Sequence, residues 1–510
     1  MKKITIMLAM ASLLGVSSCR EEILQTELTK SKVEIADATV KNGRLYFPNK
    51  ESFRNTLNEI KTKPDEEINK FIEKFDYEPL QIIVTENNEK AALQNIKKRK
   101  SKILQINSAR ISDDEILEDL DDMEEIIGDE AYATMLNGDA EVQVGNDVYK
   151  YTDVGLFVTP VEDYSVLVEY LDDNQISDNL LVETDYSVRE SYVASQPSGI
   201  LVPVSEEISY FNSIEMMAPV DDYDTGSYGA TTNISNVVEP SMGDIVKNLK
   251  VGIVKKPWLG NRFGTTWVTY DKYEDRRRVK VKFYSQNLFL AYVVGCKVKH
   301  QYKGWTGLWR KENADKLGMG VNAIKWTFAH NINTNISSNG IPKQVYWQAS
   351  NMYTSNNGIN FSFKQNVNIP SIPFANNIDC VIQFVSDLSG LDEEQLNKLF
   401  WDTAWKKAKQ ISSEQNSKLE KVVFVVDTFN STYFRYYDFS QVQSNQDKIE
   451  KIFDWGVATP LFTYNFGGGT SSLSVSKYTF DFTKPTAVSV NMYGVAKKNG
   501  TWHGVILDAK

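Results

Sequence analysis

The periods of apolar positions change along the chain, and those changes predict its elements. Arg44–Phe47 alternates as a short strand, and Phe53, Leu57 and Ile60 follow at i, i+4 and i+7, the stripe of an amphipathic helix. Pro64 opens a second helix whose Ile68, Phe71, Ile72 and Phe75 share one face. Residues 85–110, with Lys97-Lys98-Arg99-Lys100, read as an exposed connection. Ser112 to Glu130 is a helical pattern with capping-box spacing at Ser112 and Glu115, an apolar stripe of Ile116, Leu117, Leu120, Met123 and Ile127, and a stop at Gly128. Glu141 to Tyr151 alternates about Gly145-Asn146-Asp147 as a hairpin does.

From about Ser187 to Asn248 periodicity weakens and turn formers gather, which predicts a linker. Beyond it, period two dominates. Val279, Val281 and Phe283 alternate with Lys280, Lys282 and Tyr284, and an apolar run covers Leu288–Val294. Cys296, Val298 and His300 then alternate with Lys297 and Lys299, so the lysines of both strands lie opposite their apolar neighbours. Further strands are expected at 323–329, 344–348, 361–365, 381–385, 422–426, 478–482 and 488–493. A helix is expected at 391–411, and a terminal hairpin at Asn499-Gly500. The fold class is therefore α+β and multi-domain. It combines an acidic mixed part at 43–186, a linker at 187–248, and a β-rich, antiparallel, sandwich-like part at 249–510 that is divisible into two subdomains.

Charge sharpens this division. The net charge of −11 conceals −26 over residues 20–240 and +13 over 241–510, with residues 247–330 alone holding 18 basic against 5 acidic side chains. Eleven of the 19 residues in Ser112–Glu130 are acidic, but they lie on a helix without the spacing of a calcium loop, so a solvated acidic face is expected. Asp221, Asp222 and Asp224 likewise lack a full ligand pattern and read as flexible connection.

The chain opens with Lys2-Lys3, an apolar run from Ile4 to Gly15, and Val16-Ser17-Ser18-Cys19. That run is too short to span a bilayer as a mature anchor and reads as a signal peptide over 1–18. Val16–Cys19 resembles a bacterial lipobox, and Arg20-Glu21-Glu22 resembles the acidic export signal of surface lipoproteins in the Bacteroidetes. Gly43–Ile60 and Ala131–Pro160 are similar to segments of uncharacterised lipoproteins of that group. The resemblance implies lipidation of Cys19 by diacylglycerol and an acyl chain such as palmitate. It also implies a tether over 19–42 and an outer-membrane, surface-exposed address, and it implies no catalytic residues. Two chains are what stable anchoring requires. Of the other cysteines, Cys296 and Cys380 read as buried thiols rather than a disulfide framework.

Catalytic chemistry leaves no local signature. Gly467-Gly468-Gly469-Thr470-Ser471 is neither a nucleophile elbow nor a phosphate loop, and His300, His330 and His503 have no metal-ligand spacing, so neither metal nor cofactor is expected. His300 reads as a hydrogen-bonded core residue, and Asp427, at the end of VVFVV, as a loop cap. What remains is the basic, aromatic ribbon: Lys280, Lys282, Lys297 and Lys299 with Trp305, Trp309 and Arg310, beside Arg276 and Tyr302. Flat rings cover the apolar faces of sugars, and cations hold carboxylate or sulfate. The ribbon either docks on the protein's own acidic front, stays solvated, or takes an external polyanion; on an envelope protein no nucleic-acid partner is expected. A non-catalytic binding protein for glycans, other anionic polymers or partner proteins is the leading expectation. An envelope hydrolase acting on carbohydrate or peptide and a structural component of a surface assembly are the alternatives.

Overall fold

The computed structural model describes residues 38–107, 125–213, 245–255, 263–329, 352–354, 360–367, 378–384, 421–427, 431–452 and 487–509, apart from 76, 181 and 247, with isolated positions between 395 and 410. Cys19, most of the acidic helix at 112–130, the strands expected at 344–348 and 478–482, and most of the helix expected at 391–411 lie outside the described residues.

The architecture is α+β with a β-rich C-terminal half. A seven-stranded sheet runs in the order β1-β2-β3-β4-β5-β7-β6 (Thr39–Lys41, Arg44–Phe47, Glu141–Val144, Asp147–Thr152, Gly155–Pro160, Ser209–Phe211, Val202–Pro203). The helices of this half are α1 (Lys50–Lys61), α2 (Asp65–Phe75), α3 (Glu89–Asn107), α4 (Glu130–Met135), α5 (Tyr164–Asp173) and α6 (Tyr186–Ser195). The second sheet joins β9 (Gly264–Glu274), β10 (Arg277–Asn287), β11 (Tyr292–Lys303) and β12 (Trp309–Lys311), with β19 (Lys448–Ile452) also on β11. The third has nine strands, in the order β14-β15-β16-β17-β18-β13-β20-β21-β8. These are Met352–Thr354, Asn360–Val367, Ile378–Phe384, Lys421–Asp427, Ser431–Gln446, Ala314–Ala329, Ala487–Lys498, Thr501–Ala509 and Lys250–Val251.

The predicted periodicities explain most of this. Phe53, Leu57 and Ile60 are buried on α1, and the Asn49 side chain caps that helix by accepting from the Ser52 N–H. Asn499 and Gly500 both have positive φ (52° and 83°), the two-residue turn that Asn-Gly favours, and they pair Lys498 with Thr501. On β10 and β11, Val279, Val281, Phe283, Val294, Cys296 and Val298 face a sandwich core shared with Leu317, Val321, Trp326, Met492 and Leu507 of the third sheet. The Cys296 side chain is buried, while the Cys380 side chain lies outside the described residues.

Three stretches differ from the sequence expectation. Residues 89–107 form α3 instead of an exposed connection, because Ala92 and Ile96 bury one face against Val84 and Leu308. Within 187–212, α6, β6 and β7 complete the first sheet; β7 pairs with β5, so this part of the expected linker is ordered structure. The apolar run at 288–291 is the loop between β10 and β11. Leu288, Leu290 and Ala291 insert into the core of the N-terminal part, and the Tyr151 hydroxyl donates to the Leu288 carbonyl at 2.7 Å. The two halves therefore share apolar packing. Among the described residues, no helix is long and apolar enough to cross a membrane.

Candidate functional site

The ribbon divides into an inner block and an outer hairpin. In the inner block Lys280 stands opposite Lys299 and Lys282 opposite Lys297 on the β10–β11 ladder. Period two sends these side chains away from the sandwich core, and four ammonium groups meet on one face. Like charges directly opposite repel, so such a block requires carboxylates.

They come from the acidic front. Glu125 pairs with Lys280 at 2.6 Å and with Lys282 at 2.5 Å. Glu130, the first residue of α4, pairs with Lys297 at 3.2 Å, lies 4.0 Å from Lys282 and also binds Lys299. From β19, opposite Lys297 on the ladder, Glu450 pairs with Lys297 at 2.6 Å and with Lys448 at 3.2 Å. Lys280, Lys282 and Lys297 are 5% exposed or less, so the charges of this block are neutralised inside the protein. Burial alone would raise the Glu125 and Glu450 carboxyls; the adjacent lysines outweigh it and bring both down to about 2. Glu130 is likewise held well below the ordinary carboxylate range.

Amide contacts hold the same segment. The Gly128 N–H donates to Gln286 Oε1 at 2.7 Å, and Gln286 Nε2 donates to the Ile126 carbonyl at 2.9 Å. Gly128 is required here for closeness, since a Cβ would lie 2.4 Å from Tyr284 Cβ.

The outer hairpin runs through the tip 304–308 between β11 and β12, and it is pinned from beneath. Buried Glu89 at the start of α3 accepts from the Thr306 N–H at 3.0 Å and from its hydroxyl at 2.5 Å. Leu308 packs against Ala92 and Ile96. Arg276 Nε donates to the Lys303 carbonyl at 2.8 Å, and the Lys303 N–H returns a bond to the Arg276 carbonyl. On this base Trp305 stands 72% exposed. Arg276 lies 4.8 Å from the Tyr302 ring and Arg310 lies 5.5 Å from it. Arg278 lies 4.1 Å from half-buried Trp309. Arg310 pairs with exposed Glu86 at 3.0 Å. The hairpin thus offers an immobilised aromatic face set among guanidinium groups.

Replacing Glu89 with Ala is expected to free this tip. The Thr306 amide would lose its acceptor, with faster hydrogen exchange there and a global loss of about 1–3 kcal/mol. Unchanged protection of Thr306 would show that Glu89 does not hold the tip.

The ribbon's seven residues therefore do not converge on one open surface. The four lysines face inward, and Trp305, Trp309 and Arg310 gather at the hairpin. Glu89 and Glu450 carried no signal; Glu125 and Glu130 stood only within an acidic segment expected to be solvated, whereas both are turned onto the lysines, and all four carboxylates meet their partners only in the fold, Glu89 lying 217 residues from Thr306. His300 is a core residue: Nδ1 donates to the Glu312 carbonyl at 2.7 Å, leaving Nε2 to accept from the Tyr273 hydroxyl at 2.6 Å. Burial lowers its pKa and favours the neutral ring. Among the described residues, no group of three or more His, Cys, Asp or Glu has the arrangement to hold a metal ion. Asp427 ends β17, with its side chain outside the described residues.

No family model matches the chain, and no curated protein matches it. Among solved structures, it is similar to a DUF4848 family protein from Bacteroides thetaiotaomicron at 13% identity, over 57% of this chain and 76% of that one, with a TM-score of 0.15. A likeness this slight carries no argument about function.

Proposed function

We propose that the chain is a surface protein of the bacterial envelope, anchored through lipid on Cys19, that binds an anionic glycan on the hairpin around Trp305. One observation carries the reading. A tryptophan 72% exposed, on a turn clamped by a buried carboxylate, is a large apolar surface left in water although the turn beneath it is fixed. A flat ring held in place loses little entropy when a sugar face covers it, and neighbouring Arg276 and Lys303 supply charge for carboxylate or sulfate groups. The inner lysines support the fold instead, so charge reversal at Lys280 or Lys297 acts through stability.

The test is binding of chondroitin sulfate and polygalacturonate to the soluble chain from residue 20 onward. Trp305→Ala and Arg276→Glu are each expected to weaken binding at least about tenfold, or about 1.4 kcal/mol, and Trp305→Ala should do so without moving the thermal midpoint. Raising the salt concentration should weaken binding further. If neither polymer binds, or both variants bind as the parent does, the reading fails.

A further inference from the structure

A cleft of about 300 Å³ lies beside the hairpin, where the α1–α2 turn, residues 84–86, β12 and the β18–β19 turn converge. We infer that it is a subsite for a neutral sugar ring of the bound glycan. The inference rests on the glycan reading above and names a second class of recognised unit.

Volume, charge and partners support it. The cleft's size falls at the lower end of ligand sites, about 300–1,000 Å³, and it is lined by four cations and four carboxylates. A lone anion or cation entering it therefore meets repulsion as well as attraction. The lining also presents acids and bases in adjacent pairs. Asp65 lies 2.5 Å from Lys311, and Glu86 lies 3.0 Å from Arg310. Vicinal hydroxyls suit such pairs, because each hydroxyl donates to a carboxylate and accepts from a cation. Gln446 and Asp447 also line the cleft, with Gln446 exposed to solvent and the Asp447 carboxylate acting on Lys311. They supply a further donor and acceptors. Arg310 belongs to both places, lining the cleft and lying 5.5 Å from the Tyr302 ring, so one oligosaccharide has a continuous path from hairpin to cleft.

The probes are lactose, maltose and cellobiose, titrated by calorimetry and by saturation-transfer NMR. At least one is expected to bind in the millimolar range, with an affinity unchanged between 50 and 500 mM salt because the ligand carries no charge. Asp447→Ala and Gln446→Ala should each weaken it at least about fivefold, the loss expected when one hydrogen-bonding partner is removed. Unchanged thermal midpoints show that the variants remain folded, and Asp447→Asn should retain part of the affinity by keeping one acceptor oxygen. No binding by any of the three sugars overturns the inference, as do salt-sensitive binding and binding that both cleft variants leave intact. The glycan reading fails separately, on polymer binding that ignores Trp305.

Discussion

Replacing Glu125 with alanine is expected to destabilise the protein by about 3–5 kcal/mol, the range for removing one partner of a buried ion pair. The carboxylate lies 2.6 Å from Lys280 and 2.5 Å from Lys282, and all three side chains are 7% exposed or less. Its loss leaves two ammonium groups away from water without their nearest counter-charge. Their positions on β10 prevent escape, since turning either outward would break the register that buries Val279, Val281 and Phe283. Exposed Glu86 is the control. Its side chain is 78% exposed beside Arg310, and Glu86→Ala should cost less than about 1 kcal/mol. A combined Glu125→Leu, Lys280→Met and Lys282→Met variant should recover at least part of the loss, because it removes the buried charges together. Guanidinium unfolding of the three variants checks all of this. A Glu125→Ala midpoint equal to that of Glu86→Ala would contradict the buried-network account.

Acid should unfold the protein through the same network. Glu125 and Glu450, brought down to about 2 by their lysines, are carboxylates whose folded pKa is depressed. Such groups contribute stability that is fully present above the ordinary carboxylate pKa of about 4.3 and is lost as pH falls towards the folded value. For Glu125 alone the loss between about pH 5 and pH 2 is on the order of 3 kcal/mol at 1.36 kcal/mol per unit. Glu130 acts in the same direction, facing Lys282, Lys297 and Lys299. Unfolding followed from pH 7 to pH 2 should therefore show a level region above about pH 5 and a steep fall beneath it. Glu125→Gln should flatten the fall. A stability profile independent of pH over that range would mean that these carboxylates titrate alike in the folded and unfolded chain.

Both expectations bear on the proposed function. The inner lysines fix the platform, and the hairpin that continues from β11 into β12 carries the exposed ring. A binding experiment that mutates Lys282 or Lys297 would confuse loss of fold with loss of contact. A variant at Trp305 avoids this, because its side chain is exposed and the turn beneath it is held by other residues.

Much of the architecture was legible along the chain. Alternation in β10 and β11, the α1 stripe and the Asn499-Gly500 turn each follow from local periods and backbone preferences, and each is in place. The division of charge was equally plain. Local patterns misled where apolar residues served a distant partner. Leu288–Ala291 read as continuous with a strand but plugs the other half's core, and α3 hides its short apolar stripe among lysines.

By itself, the sequence determined that four lysines share one face and that the chain holds a strongly acidic segment elsewhere, because period two and net charge are properties of neighbouring residues. Only the tertiary structure decided which carboxylates meet those lysines, that Glu89 pins a turn 217 residues away, and that Trp305 remains in water. The physical reason is range. Periodicity acts over a few residues, whereas ion pairing and burial depend on distances in space that chain separation does not set.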